Sequence, residues 1–218
     1  MTTTRPSNAM ILDFLKKSYP GTGFVDSLKI KYRPLICPFG DIISLAKPGE
    51  KIGDVGCGSG QFLLLMSHFS EPSQVYGIEI SEKLINNANQ LFAKQPFRNF
   101  AFSTYDGVHF PPGLRDMDIL YLIDVLHHVP KPNQKKFIED LASTMKPGAR
   151  LVLKDIDGGS ALVMFNKMHD MVFAGEIGNE ISFSKAKEWL KGAGLNIISE
   201  NKKRMYVYPH YTIVAEKK

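Results

Sequence analysis

Short apolar runs alternate with longer amphipathic stretches from Lys47 onward, and this alternation predicts parallel strands joined by helices. The first strand begins at Lys51 and leads into a glycine-rich turn. Four more strands are predicted at Gln74–Ile80, Asn99–Thr104, Asp118–Ile123 and Ala149–Lys154, and two last ones at Leu195–Ile198 and Tyr211–Ala215. Helices are predicted from Phe62, from Ser81 through about Ala93, over Pro132–Met145 and over Ser184–Ala193. No helix clearly separates the last two strands, so we expect the final strand to run antiparallel.

The pattern divides the chain into two parts. Residues 1–46 combine a helical pattern around Ile11 and Leu15 with an extended segment over Lys31–Phe39 that prolines interrupt. Residues 47–218 form the α/β domain, and residues 160–183 are an insertion between the fifth strand and the late helix. We expect residues 1–46 and this insertion to form the two lids of a binding site.

Composition adds few constraints. The chain has 218 residues, a formal charge of +5, and no apolar run near the length of about 18 residues that spans a bilayer. Two cysteines, Cys37 and Cys57, make neither a disulfide framework nor a metal site, so we expect no metal and a cytoplasmic enzyme. The basic residues Lys202–Arg204 can contact phosphates or anionic lipid, but a solvated turn is the more ordinary interpretation.

The turn after the first strand carries glycine at three alternate positions, Gly56, Gly58 and Gly60. Glycine permits positive φ and lets a ligand approach the backbone closely. The dinucleotide-binding fingerprint has its third glycine one place later, where this chain has Gln61, so the spacing disfavours that type of site.

Ordered motifs follow the other strands as well. They are Asp54-Val55-Gly56-Cys57-Gly58-Ser59-Gly60, Gly77-Ile78-Glu79, Tyr105-Asp106-Gly107, Ile123-Asp124-Val125-Leu126-His127-His128-Val129 and Lys146-Pro147-Gly148. In this order and spacing they resemble the class I S-adenosylmethionine-dependent methyltransferases, over roughly residues 47–215. Gly53 departs from the family, which usually has a bulky apolar residue there.

The resemblance implies a Rossmann-like, doubly wound α/β fold: a seven-stranded, mostly parallel sheet with an antiparallel last strand and helices on both faces. It also implies S-adenosyl-L-methionine as cofactor and S-adenosyl-L-homocysteine as product. Glu79 would accept hydrogen bonds from the ribose hydroxyls, and Asp106 from the adenine amino group. The implied cofactor residues are Asp54, Gly56, Cys57, Gly58, Gly60, Glu79, Ile80, Tyr105, Asp106, Gly107, Asp124 and, from charge and placement alone, Arg33.

Three groups of residues are candidates for the chemistry. Asp124, His127 and His128 follow the fourth strand and provide either a general base or the pocket floor. Lys154 and Asp155 end the fifth strand, where an ion pair between them is favoured over catalysis. His169 lies in the insertion, whose apolar, methionine-rich face suits either the core or an acceptor.

We therefore expect methyl transfer to a small, apolar or aromatic acceptor, with oxygen favoured as the attacking atom. Methylation of nucleic acid or protein is the alternative enzyme. Enzymes that methylate the exocyclic amines of bases usually have an Asn/Asp-Pro-Pro-aromatic sequence in the turn after the fourth strand. This chain lacks that sequence, so nucleic acid is the less favoured acceptor. A non-catalytic module that binds the cofactor is the alternative outside enzymes. We expect a monomer or homodimer without a transmembrane segment, and contact of the insertion with a membrane surface stays open.

Overall fold

The computed structural model describes residues 5–18, 36–164 and 178–218. The helices are α1 Asn8–Ser18, α2 Phe39–Ile43, α3 Gln61–Phe69, α4 Glu82–Ala93, α5 Gln134–Thr144 and α6 Phe183–Gly192, with short 3₁₀ helices at Pro112–Asp116 and Leu126–His128. The strands are β1 Lys51–Val55, β2 Gln74–Glu79, β3 Phe100–Thr104, β4 Ile119–Ile123, β5 Arg150–Ile156, β6 Leu195–Met205 and β7 Tyr208–Lys217.

The strands form one sheet of seven in the order β3-β2-β1-β4-β5-β7-β6. The first five strands are parallel, and β7 is antiparallel to both β5 and β6. This confirms the predicted fold and the antiparallel last strand. The order changes direction between β1 and β4, and in open α/β sheets the carboxyl ends of strands at such a point form the binding crevice.

Helices cover both faces, as predicted. The apolar sequence of β4 is buried throughout, because its alternate side chains enter two different cores. On one face Leu120 and Leu122 pack with apolar residues of α5 and α6. On the other face Ile119 and Tyr121 pack with residues of α1 to α4.

The last two strands are longer than predicted and form a hairpin that continues past the end of β5. The basic residues Lys202–Arg204 lie within β6, so the prediction of a solvated turn there is wrong. The polar run was misleading because β6 is an edge strand, where exposed charged side chains are ordinary.

The amino-terminal pattern is confirmed at α1, whose Ile11 and Leu15 are buried. Phe14 of α1 stacks on His68 with ring centroids 4.0 Å apart. The predicted extended segment is wrong at Ile36, which is helical, and at Phe39, which begins α2, while residues 31–35 lie outside the described part of the chain. Among the described residues no helix has the length and apolarity needed to cross a membrane.

Candidate functional site

The glycine turn between β1 and α3 holds its three glycines at positive φ, with values of 77° at Gly56, 55° at Gly58 and 79° at Gly60. A Cβ on Gly56 would lie 2.5 Å from Val125 Cγ2, so this glycine lets the turn after β4 pack against the turn after β1. A Cβ on Gly58 would have no described atom within 4 Å. Gly58 therefore borders open space, where a ligand can approach the backbone.

Glu79 at the end of β2 is hydrogen-bonded to the same turn. Its Oε2 accepts from the Gly58 N–H at 3.1 Å, and its Oε1 accepts from the N–H groups of Ile80 at 2.9 Å and Ser81 at 3.2 Å. A carboxylate has about four acceptor positions. The backbone thus fixes the carboxylate and leaves capacity for a hydroxyl group.

Asp106 organises the loop that follows β3. Its Oδ1 accepts from the N–H groups of Val108 and His109, and its Oδ2 lies 2.6 Å from His109 Nδ1. The hydrogen bond from the His109 side chain, with those from the backbone, holds the pKa of the Asp106 carboxyl well below its usual range. Asp106 therefore stays ionised.

Two large apolar side chains are exposed beside these carboxylates: Ile80 is 66% and Val108 is 56% accessible. Gly107, which directly precedes Val108, has φ of 83°. A Cβ added to it would lie 3.7 Å from Ile80 Cγ2, so the two loops are close together. Apolar groups exposed beside hydrogen-bond acceptors suit a flat, partly polar ring. Sequence reasoning missed Val108, although an apolar residue in a polar turn after a strand was a usable signal.

Tyr105 and Cys57 are both kept neutral. Burial, followed by the charges of Glu79 and Asp106, raises the pKa of Tyr105 to about 12. Burial, followed by the nearby charges of Asp54 and Glu79, raises the pKa of the Cys57 thiol far above its usual range. Cys57 is therefore a packing residue of the turn and is no thiolate nucleophile.

Asp124 follows β4 in a strained, left-handed conformation with φ of 55°. Its N–H donates to the Lys154 carbonyl at 2.9 Å, and Lys154 Nζ donates to its Oδ1 at 2.5 Å. The predicted ion pair between Lys154 and Asp155 is therefore wrong. Consecutive residues of a strand point to opposite faces of the sheet, so these two side chains diverge.

Asp155 instead pairs with His127. Its Oδ1 lies 2.6 Å from His127 Nδ1, and its two oxygens also accept from the N–H groups of Ile156 and His127. Both side chains are buried. His128 is exposed, and its ring centroid lies 4.1 Å from that of His127. Of the two predicted bases, His128 is thus the one open to a substrate, whereas Asp155 fixes His127 beneath it.

Asp157 connects the two ends of the insertion. Its Oδ1 accepts at 3.0 Å from both the Gly159 N–H and the Phe183 N–H, and Lys202 Nζ lies 2.6 Å from its Oδ2. Burial raises the pKa of Asp157, but the hydrogen bonds from Lys202 and the two N–H groups outweigh burial and lower it. Asp157 is therefore ionised, and it joins the two ends of the insertion through hydrogen bonds.

Two buried polar residues at the start of β7 were not predicted. The Nε2 of His210 lies 2.7 Å from the Ile36 carbonyl oxygen, while its Nδ1 and the hydroxyl of Tyr211 have no hydrogen-bond partner among the described residues. Burial, aided by the charge of Lys154, lowers the pKa of His210 to about 4, so the imidazole is neutral. The available signal was their position just before the apolar run Ile213–Ala215.

The remaining predicted residues are divided between the site and the rest of the chain. Asp54 is buried at the end of β1, next to the turn. Arg33 and His169 lie outside the described residues. Within the described ranges, no group of three His, Cys, Asp or Glu side chains is arranged to hold a metal ion.

Comparison with known proteins agrees with this geometry. The family model described as "Methyltransferase domain" matches residues 31–200. An O-methyltransferase of Penicillium expansum is 31% identical over 109 residues, which are 50% of this chain and 38% of that protein. A tRNA N(3)-methylcytidine methyltransferase of Schizosaccharomyces pombe is 28% identical over 164 residues, 67% of this chain and 64% of that protein. The chain thus spans less than two thirds of the length of these relatives.

Solved structures share the fold along nearly the whole chain. Magnesium protoporphyrin IX methyltransferase from Synechocystis, crystallised with bound S-adenosylhomocysteine, has a TM-score of 0.70 at 21% identity and covers 97% of this chain and 96% of its own. The PH0226 protein of Pyrococcus horikoshii has a TM-score of 0.71 at 18% identity, covering 93% of this chain and 98% of its own.

Proposed function

Since the chain belongs to the class I S-adenosylmethionine-dependent methyltransferases, we propose that it methylates a small, apolar or aromatic acceptor at an oxygen atom. The observation that carries the oxygen assignment is the exposed His128, which rests on the buried pair of His127 and Asp155. An acceptor hydroxyl must lose its proton during transfer, and an imidazole at the reaction site is the side chain best suited to take it.

The residues at the glycine turn fit S-adenosylmethionine. Gly58 leaves room for close approach to the backbone, Glu79 retains acceptor positions for the ribose hydroxyls, and Ile80 with Val108 provides apolar surface for the adenine. We assign Asp106 to the adenine amino group and Asp54 to the amino group of the methionine end. When bound, the cofactor supplies an electrophilic methyl group on a sulfonium.

In the proposed reaction, the acceptor oxygen forms a bond to the methyl carbon as the carbon–sulfur bond breaks. The oxygen gives up its proton to His128, and the sulfur keeps the bonding electron pair, so S-adenosylhomocysteine leaves uncharged. Asp155 holds His127 in place, and the ring of His127 supports that of His128. His128 is the proposed catalytic residue, and His127 and Asp155 position it.

Methylation of tRNA is the second candidate. Two similar proteins are tRNA-modifying enzymes: the tRNA N(3)-methylcytidine methyltransferase of Schizosaccharomyces pombe and the tRNA U34 carboxymethyltransferase of Idiomarina loihiensis. The described charges support it poorly. Lys202 and Lys203, two of the three basic residues of β6, are ion-paired with Asp157 and Asp41. Neutralised lysines contribute little to phosphate binding.

The test offers the protein cofactor with an isotope-labelled methyl group, together with either a metabolite extract or total tRNA. Mass spectrometry then identifies the labelled product. We expect label on a small molecule, as a methyl ether or ester. Label on tRNA alone would overturn the acceptor class, and binding of cofactor without turnover on any acceptor would favour the regulatory module.

The role of His128 is tested by His128→Gln once the acceptor is found. We expect kcat to fall by about 10²–10⁴-fold, while the affinity for S-adenosylhomocysteine stays within about twofold. His68→Gln is the matched control and should keep wild-type kcat. His68 lies in the last helical turn of α3, at the end of the helix opposite the glycine turn. An unchanged kcat in His128→Gln would remove the histidine from the mechanism.

A further inference from the structure

Lys154 is a buried ammonium group at the floor of the site. Its side chain is 1% exposed, whereas the side chain of its partner Asp124 is 24% exposed. Two hydrogen bonds join the residues, one from Lys154 Nζ to the Asp124 carboxylate and one from the Asp124 N–H to the Lys154 carbonyl. An unpaired charge at this depth would be strongly unfavourable, so the pair is a fixed unit.

The pair has a direction. The negative member follows β4, in the turn whose next residue, Val125, packs against Gly56 of the glycine turn. The positive member lies deeper, on β5. The carboxylate is therefore the end that is nearer the open side of the site.

The ammonium group stays charged in this setting. Burial alone lowers the pKa of Lys154, but nearby charges, that of Asp124 first among them, and the hydrogen bond to Asp124 together outweigh burial and raise the pKa above its ordinary value. Asp155, the next residue of β5, also raises the pKa of Lys154, although its side chain points to the opposite face of the sheet. Lys154 is thus a buried positive charge that is paired with Asp124 and also lies near Asp155.

We propose that Lys154 is a positioning residue that holds the Asp124 carboxylate toward the cofactor, and that this pair sets the relative affinity for S-adenosylmethionine over S-adenosylhomocysteine. The inference rests on the cofactor site proposed above. The two ligands differ by one methyl group and one positive charge. Their affinity ratio therefore isolates the effect of charge, while hydrogen bonds and packing that are common to both cancel.

The two single substitutions should change this ratio in opposite directions. Lys154→Met removes a positive charge near the sulfonium, so the affinity ratio of S-adenosylmethionine to S-adenosylhomocysteine should rise. Asp124→Asn removes a negative charge, so the ratio should fall. A unit charge about 8 Å away, at an effective dielectric constant of about 40, gives a change of roughly sixfold. The double variant removes a pair whose carboxylate is the nearer member, so its ratio should fall below that of the wild type, but by less than in Asp124→Asn.

Titration calorimetry with each ligand measures the ratio, and a thermal melt of the ligand-free protein reports the stability of each variant. Lys146→Met is the matched control, because Lys146 forms a 2.6 Å ion pair with Asp118. Asp118 directly precedes β4, so this pair lies at the amino-terminal end of the strand, opposite to the proposed site. Its ratio should equal that of the wild type.

Parallel losses of affinity for both ligands, with an unchanged ratio in Lys154→Met, would overturn the proposal and leave the pair a purely structural role. If Asp124→Asn leaves Lys154 unpaired and unfolds the protein, Lys154→Met and the double variant still decide, since neither buries an unpaired cation. Failure of the wild-type protein to bind either ligand would refute the cofactor site itself, which is a distinguishable result.

Discussion

Replacing Gly56 with alanine should damage the fold through two effects that the structure separates. The first is backbone strain, because φ at Gly56 is 77° and a side chain in the left-handed region costs about 1–2 kcal/mol. The second is overlap, because the new Cβ would lie 2.5, 3.1 and 3.4 Å from three side-chain atoms of Val125. Val125 is β-branched and stiff at χ1, so the overlap at 2.5 Å is not relieved freely, and overpacking costs about 1–3 kcal/mol.

The sum predicts a loss of about 2–5 kcal/mol in the free energy of unfolding. For a chain of 218 residues, 1 kcal/mol corresponds to about 2 °C in melting temperature, so Tm should fall by about 4–10 °C. Gly58→Ala is the matched control, because φ there is 55° but the new Cβ would meet no described atom within 4 Å. Only the strain applies, and Tm should fall by about 2–4 °C.

Ligand binding should separate the same two variants in the opposite way. The Cβ of Gly58→Ala would enter the open space assigned to the cofactor, so we expect its affinity for S-adenosylhomocysteine to fall at least about tenfold, a loss of about 1.4 kcal/mol. Thermal melts and titration calorimetry measure both effects. A melting temperature of Gly56→Ala at or above that of Gly58→Ala would refute the assignment of Gly56 to packing.

Three further predictions concern other parts of the molecule. The folded protein lowers the pKa of His210 to about 4, so the unfolded chain binds the proton first as pH falls through 6.5. The free energy of unfolding should therefore drop by up to about 3 kcal/mol between pH 6.5 and 4. Urea titrations should show a smaller loss in His210→Gln. Iodoacetamide at pH 8 should label Cys57 only in urea, because burial and nearby carboxylates raise its thiol pKa; labelling of the native protein, seen by mass spectrometry, would contradict this. Ser81→Ala removes the side-chain cap of α4 and should lower Tm by about 2 °C, with near-wild-type affinity for S-adenosylhomocysteine as its check.

The five parallel strands could be predicted because each has a short apolar stretch between turn residues, which is continuous in β4. The predicted bounds differ from the observed ones by at most two residues; β5, for instance, extends to Ile156 and the prediction ended at Lys154. The hairpin of β6 and β7 was only partly predictable. Its outer strand is polar from Ser199 to Arg204, and an exposed edge strand has no core to impose a hydrophobic pattern.

Residue types at the site were predictable, but their partners were not. The motifs identified His127 and Asp155 as candidates, yet their 2.6 Å contact depends on β4 and β5 being neighbours in the sheet. The divergence of Lys154 and Asp155 was within reach, since alternation along a strand places consecutive side chains on opposite faces. What the sequence lacked was the identity of the neighbouring strand, which determines whom each side chain meets.

The sheet register extends this division to β7 and explains why two separate polar groups occur at one edge. Asp155 pairs in register with Tyr211, and both point to the face covered by α5 and α6. Lys154 and His210 point to the other face, where His210 meets the carbonyl of Ile36. The sheet thus separates two pairs of side chains. His127 and Asp155 support the proposed base on one face, and Lys154 and Asp124 face the proposed cofactor on the other. A substitution of Lys154 therefore removes none of the hydrogen bonds that hold His127 beneath the proposed proton acceptor.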